Sequence, residues 1–190
     1  MIEDHSASMG IGAGIDTGDL DRLWTPQRLA YVTGETRPPG GYDKPAGCPF
    51  CLTVDDDGQS SNRLVVSRGE LVFAVLNLYP YNPGHLLICP YRHVPDYTDL
   101  DAAEVAELGA FTQTAMRVIR ATSGAHGFNI GMNQGLVAGA GIAAHLHQHV
   151  VPRWGGDTNF ISVIGRTKVL PQLLDDTRDL LMKVWADQQP

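Results

Sequence analysis

An α+β domain built on a mostly antiparallel sheet is the fold class this sequence predicts, on three observations. Short apolar and β-branched runs at 64–67, 71–76 and 85–89 are separated only by tight turns, which join antiparallel neighbours. One long stretch, 101–124, carries its apolar residues at helical spacing. Two further strand-like runs, 128–132 and 144–154, flank a glycine-rich turn, and a second helical stretch follows near the C-terminus. Strands in one block with helices packed on them give α+β.

Taken in order, residues 1–19 hold Gly, Ser, Asp and small residues without apolar period, so they bury too little to offset their ordering entropy and are expected to be a disordered tail. Between Leu20 and Val32, Thr25 is a cap candidate with Pro26 at the first helical position, which predicts a short helix. Residues 34–47, rich in Gly and Pro, read as a linker into Cys48-Pro49-Phe50-Cys51. After the acidic turn Asp55-Asp56-Asp57-Gly58, Leu64 to Ser67 and Leu71 to Leu76 are strands joined by the hairpin turn Arg68-Gly69-Glu70. Asn82-Pro83-Gly84-His85 has Pro and Gly where a type II turn wants them, and His85 to Cys89 is the next strand. Asp101-Ala102-Ala103-Glu104 is a capping-box pattern; Val105, Leu108, Phe111, Ala115, Val118 and Ile119 then keep helical spacing to Gly124 and should cover one sheet face.

Phe128 to Met132 is a strand, Asn133 to Gly141 a glycine-rich turn, and Ala144 to Trp154 a further strand. Gly155-Gly156-Asp157 makes a turn, Phe160 to Ile164 a strand, and Pro171 to Trp185 a helix with Leu173, Leu174, Leu180, Leu181 and Val184 inward. The expected organisation is a single domain over 20–190, with its core at about 48–154 and a C-terminal extension at 155–190.

A chain of 190 residues buries roughly 70% of its unfolded surface and needs no disulfide framework. Fourteen Lys plus Arg against 21 Asp plus Glu give a net charge of −7, which disfavours nonspecific binding to nucleic acid or an anionic membrane. No apolar run reaches the roughly 18–20 residues of a spanning helix, and the N-terminus lacks a basic and apolar leader pattern, so a cytoplasmic location is expected. Three cysteines, two of them as Cys48-x-x-Cys51, fit a reducing compartment and a metal or redox role; Cys89, in an apolar strand, reads as a buried core thiol.

The chemistry concentrates in His145-Leu146-His147-Gln148-His149. On a strand, period two turns all three imidazoles to one face, and the glycines upstream leave backbone N–H groups unobstructed for phosphate oxygens. The run His145-Leu146-His147-Gln148-His149-Val150-Val151 resembles the signature of the histidine triad (HIT) superfamily of nucleotide hydrolases and transferases, and Phe73 to Pro90 resembles that family's N-terminal strand pair. Leu23-Trp24-Thr25-Pro26 carries a narrower resemblance to actinobacterial HIT proteins akin to diadenosine-tetraphosphate phosphorylases.

That resemblance implies a five-stranded HIT fold whose sheets join in a homodimer, and an enzyme that cleaves a nucleotide at its α-phosphorus. His147 would be the nucleophile, passing through a nucleotidyl-histidine, with its other ring nitrogen held by a carbonyl of the glycine-rich turn; a neutral imidazole has the lone pair this requires near pH 7. His149 would contact the α-phosphate or bridging oxygen. Asn77, Asn133, Gly139 and Gly141 would hold the nucleotide, with an ordinary exposed strand-end amide as the other reading of Asn77, and Phe73, Leu76 and Leu86 would line a slot for the base or else be plain core. Arg153 and Trp154 are candidates for a second phosphate or base, with a solvated surface charge as the other reading of Arg153.

The same resemblance implies a structural Zn²⁺ on Cys48, Cys51, His93 and His145; free thiols are the alternative for the cysteine pair. The implied substrate is a dinucleoside polyphosphate, diadenosine tetraphosphate foremost, with water or inorganic phosphate as acceptor. Phosphoramidase or adenylyl-sulfate chemistry and a zinc-stabilised nucleotide-binding module are the alternatives. Gln148 stands where the signature is apolar, which suggests a wet subunit boundary. Ile142 stands where phosphorylase-like relatives carry a hydroxyl, which counts against phosphate as acceptor.

Overall fold

The computed structural model describes residues 47–55, 64–157 and 170–188. The expected tail, the first helix, most of the linker and the strand at Phe160 to Ile164 lie outside these residues. The described elements are helix α1 (Pro49–Asp55), strands β1 (Val65–Arg68), β2 (Val72–Leu76) and β3 (Leu86–Pro90), helix α2 (Ala102–Ser123), strands β4 (Gly127–Met132) and β5 (Gln148–Arg153), and helix α3 (Leu174–Trp185). The strands form one five-stranded sheet in the order β1-β2-β3-β5-β4, every neighbouring pair antiparallel. The α+β class and the mostly antiparallel five-stranded sheet are therefore as the sequence predicts. No described helix is long and apolar enough to cross a membrane.

Local chemistry sets the connections. The Asn82 to His85 turn closes with His85 N–H donating to the Asn82 carbonyl at 3.1 Å, and Gly84 takes φ +74°, which a type II turn requires at its third position. The β1–β2 hairpin is fastened to α2, since Glu107 accepts from the N–H groups of Glu70 (2.8 Å) and Leu71 (2.6 Å). Helix α2 begins with the expected capping box of Asp101 and Glu104 and ends at Gly124 in the left-handed conformation. Buried Glu104 also takes a two-pronged ion pair from Arg92, one residue before His93. The loop after β3 is thereby tied to the start of α2.

Alternation along the strands sorts side chains onto two faces. One face packs Val66, Val72, Ala74, Leu76, Leu86, Ile88 and Val150 against Leu108, Phe111, Ala115 and Val118 of α2 and Leu181 and Trp185 of α3. The other carries Val65, Phe73, Val75, Leu87 and Cys89, with Cys48, Phe50 and Cys51 laid over them.

Three expectations are corrected here. The strand assigned to Ala144 to Trp154 begins only at Gln148, so the three imidazoles do not line up by strand alternation. Both ladders of β5 stop at Gln148, β4 ending opposite it at Met132 and β3 pairing no further than Ile88 although it runs on to Pro90; the chain before Gln148 leaves the sheet, and Leu146 N–H donates to the Val94 carbonyl at 2.7 Å. Gln148 is buried and donates to Thr112 Oγ1 of α2 at 2.6 Å, so it is an internal contact with the helix. In α3 the buried residues are Thr177, Leu181 and Trp185, with Val184 partly buried against the core as expected. Leu173 sits at the cap and Leu180 one step round the helix, both exposed.

Candidate functional site

Cys48 and Cys51 lie at and just before the start of α1, His93 on the loop after β3, and His145 on the approach to β5. Their ligand atoms all fall within 4.8 Å of one another. Cys48 Sγ and Cys51 Sγ stand 3.4 and 3.5 Å from His145 Nδ1, and Cys51 Sγ stands 3.3 Å from His93 Nδ1. Tetrahedral zinc, with bonds of about 2.3 Å to sulfur and about 2.0–2.1 Å to nitrogen, would set such sulfur–nitrogen separations at roughly 3.6 Å. His145 Nε2 lies 2.9 Å from the Pro90 carbonyl, which can only accept. The proton is thus on Nε2 and the Nδ1 lone pair faces the thiols, the second-shell arrangement of a metal-ligating histidine. The donor set fits a metal ion held wholly by protein.

A chain of ring contacts leads away from this quartet. Phe50, between the two cysteines in sequence, has its ring centroid 5.3 Å from that of His145 and 5.0 Å from that of His147. His147 in turn lies 5.1 Å from His149. Hydrogen-bond partners fix each tautomer. His147 Nδ1 is 2.8 Å from the His145 carbonyl, so it donates there and Nε2 keeps its lone pair. The acceptor is the histidine two residues back, in place of the expected carbonyl of the glycine-rich turn. His85 Nδ1 accepts the Tyr81 backbone N–H at 3.1 Å, so its proton is on Nε2, which faces His149 Nδ1 at 2.9 Å. His149 accepts there and therefore carries its own proton on Nε2. The result is a nucleophilic nitrogen on one ring beside a hydrogen-bond donor on the next.

Burial keeps these rings uncharged. It pushes His85 down to about 3, helped by His149 and His147 nearby, and His149 down to about 4, helped by His147. His147 is lowered too, chiefly by burial and against the opposing pull of the His145 carbonyl. A consequence for stability follows from His85 and His149. Unfolded, each binds its proton near the ordinary 6.5; folded, only near 3 or 4. The unfolded state holds more protons in that window, so their contribution is full above about pH 6.5 and is lost as pH falls toward 3. Thermal melts between pH 7.5 and 4.5 are expected to show a falling Tm, and His85→Phe is expected to reduce that slope.

The other candidate residues fall in several places. Asn77 is half-buried, its Oδ1 accepting from Tyr79 N–H at 3.0 Å and its Nδ2 3.4 Å from His85 Nδ1. Asn133 directly follows β4. Gly139, at φ +83°, closes the short 3-10 turn Leu136–Ala138, and its N–H donates to the Leu136 carbonyl at 2.9 Å; Gly141 lies two residues on. Phe73 faces the cysteines, whereas Leu76 and Leu86 are fully buried on the opposite face against α2, so these three residues do not form one slot. Arg153 is no isolated surface charge. It pairs with Asp157 through both Nε (2.6 Å) and a terminal nitrogen (3.0 Å) and reaches Asn129 at 2.8 Å. Trp154 Nε1 donates to the Ser123 carbonyl at 3.0 Å, which turns it to the end of α2. Cys89 is buried, and burial raises its thiol well above the ordinary value.

Sequence reasoning gave no role to His85, Phe50 or Tyr81. The signal for His85 was an imidazole opening an otherwise apolar strand directly after Pro83-Gly84. Phe50 and Tyr81 carried none, because their importance comes from tertiary contacts alone.

Comparison with known proteins bears on this arrangement. The HIT domain family model matches residues 59–156. The chain is 53% identical to an AP-4-A phosphorylase of Mycobacterium tuberculosis, across 98% of this chain and 94% of the relative. It is 37% identical to an asymmetrical bis(5'-nucleosyl)-tetraphosphatase of Schizosaccharomyces pombe, across 49% and 50%. Among solved structures, a Zn-bound histidine triad family protein from Mycobacterium smegmatis superposes with a TM-score of 0.62 at 28% identity, covering 76% of this chain and 96% of that one.

Proposed function

This chain belongs to the HIT domain family, and on that premise we propose that it cleaves dinucleoside polyphosphates, diadenosine tetraphosphate foremost, by nucleotidyl transfer through His147. One observation carries the reading: the His145 carbonyl accepts a hydrogen bond from Nδ1–H of His147 and so leaves the lone pair on Nε2, on a ring 5.1 Å from that of His149. His147 Nε2 attacks the α-phosphorus; a P–N bond forms, the bridging P–O bond breaks, and its electron pair stays on the departing phosphate. Nucleotide phosphates leave as anions, so neutral His149 need only donate a hydrogen bond and transfers no proton. The phosphorylated His147 ring is cationic, which the His145 carbonyl stabilises and which makes it the leaving group of the second step.

The acceptor in that step is inorganic phosphate. The identity to a relative named AP-4-A phosphorylase across almost the whole chain supports this. Ile142 packs against the cysteine-side cluster and supplies no hydroxyl, so recognition of the incoming phosphate falls to other groups. Nucleotide contacts fall to Asn77, Asn133 and the turn carrying Gly139 and Gly141, where the Gly139 N–H is already donated to the Leu136 carbonyl. Cys48, Cys51, His93 and His145 hold zinc; a closed tetrahedral zinc site supplies a rigid cross-link and here sets the His145 carbonyl. Its thiols must stay reduced, which suits the cytoplasm. A second copy extends the sheet beyond β4, an outer strand with Ile130 exposed.

Product analysis tests the reading. Diadenosine tetraphosphate incubated with phosphate is expected to give ADP and ATP, with incorporation of labelled phosphate into ADP. AMP and ATP irrespective of phosphate would make water the acceptor; intact substrate would leave only a binding role.

A further inference from the structure

The loop between β2 and β3 presents aromatic rings to solvent beside the imidazoles, and nothing in the packing accounts for them. Tyr79 is 79% exposed and Tyr81 52%. Tyr81 is stacked on His149 at 5.7 Å with 16° between the ring planes, and lies 4.8 Å from His85. Exposed tyrosines usually ride on pliable loops; this loop is pinned at both ends. Asn77 Oδ1 accepts from Tyr79 N–H, Tyr81 N–H donates to His85, and buried Asn82 donates to the Pro152 carbonyl and to Asp157, each at 2.8 Å. Asp157 is itself held by Arg153. An aromatic surface fixed in advance has little entropy left to lose on stacking with a flat ligand.

Its position names the ligand. Ring contacts run in the order Phe50, His147, His149, Tyr81, so Tyr81 lies past the hydrogen-bond donor from the nucleophile. In-line displacement sends the leaving group away from His147, toward the His149 side. We propose that Tyr81 is the stacking platform for the base of the departing nucleotide, and so selects substrates that carry a nucleoside at both ends. This rests on the reading of His147 as nucleophile.

Two substrates with the same adenosine and phosphate chain separate the possibilities: diadenosine tetraphosphate, and adenosine 5′-tetraphosphate, whose leaving group has no base. Base stacking on an aromatic side chain corresponds to roughly a tenfold effect or more. Tyr81→Ala is therefore expected to lower the ratio of kcat/KM for the first substrate over the second about tenfold, mainly through KM, while Tyr81→Phe keeps the wild-type ratio. An equal loss on both substrates would overturn the proposal and make Tyr81 a positioning residue for His149; no change on either would also overturn it. Failure of the function reading looks different, because wild type itself would then turn over neither substrate, and the platform would fall with it.

Discussion

His147→Asn is expected to abolish turnover of diadenosine tetraphosphate, with kcat falling by about four to six orders of magnitude, the usual scale for deleting a covalent nucleophile. Asparagine is near in size and can still donate to the His145 carbonyl, so the buried donor contact survives while the lone pair aimed at phosphorus does not. Stability should therefore change little, which separates loss of chemistry from loss of fold. Quenching wild type in alkaline denaturant with labelled substrate should trap a nucleotidyl-protein, stable to base and labile to acid as a phosphoramidate is, and the variant should show none. Retention of activity within tenfold, or an equal yield of trapped protein, would remove His147 from the mechanism.

The second large effect is expected at the metal quartet. Cys48→Ser takes a thiolate from a fully buried position, leaving Cys51, His93 and His145 to compensate a cation that has lost one charge partner. Leaving a buried charge without its partner typically costs about 3–5 kcal/mol, and in a chain of this size that lowers Tm by roughly 10 °C. Elemental analysis of purified wild type should find one zinc per chain, and the variant markedly less. Chelation of wild type should reproduce the shift in Tm, and zinc should reverse it. Since the His145 carbonyl fixes the tautomer of His147, residual activity should fall with metal content. A wild-type protein that purifies without metal and melts unchanged in chelator would show that the cysteines serve as plain thiols.

The sheet was legible because its turns announce themselves. Pro83-Gly84 dictates a reversal, Asp101 and Glu104 a helix start, Gly124 its end, and each does so through local backbone chemistry. The quartet was legible only in part from spacing, since Cys48 and Cys51 are close in sequence while His93 and His145 reach them through the pairing of β3 with β5. Periodicity misjudged the histidine run for a related reason. A strand needs a paired partner, and residues 144–147 have none because both ladders of β5 stop at Gln148. Leu76 and Leu86 read equally as base slot or core, because an apolar residue beside a site and one beneath it look alike in sequence; the parity of the β2–β3 register puts them in the core. Phe50 gave no local sign at all, being a large apolar residue between two cysteines until the fold lays it on His147.

The strand order has a consequence for how the protein is made. β5 is the last of the described strands to leave the ribosome, yet it lies inside the sheet between β3 and β4. The meander β1-β2-β3 can close as soon as it emerges, but β4, which neighbours β5 alone in the described sheet, must wait unpaired for a later segment, a nonlocal closure of the kind that slows folding. His149 meets His85 only at that insertion. A nascent chain that ends before Gln148 therefore holds a half-built sheet and no His149 for His85 to meet.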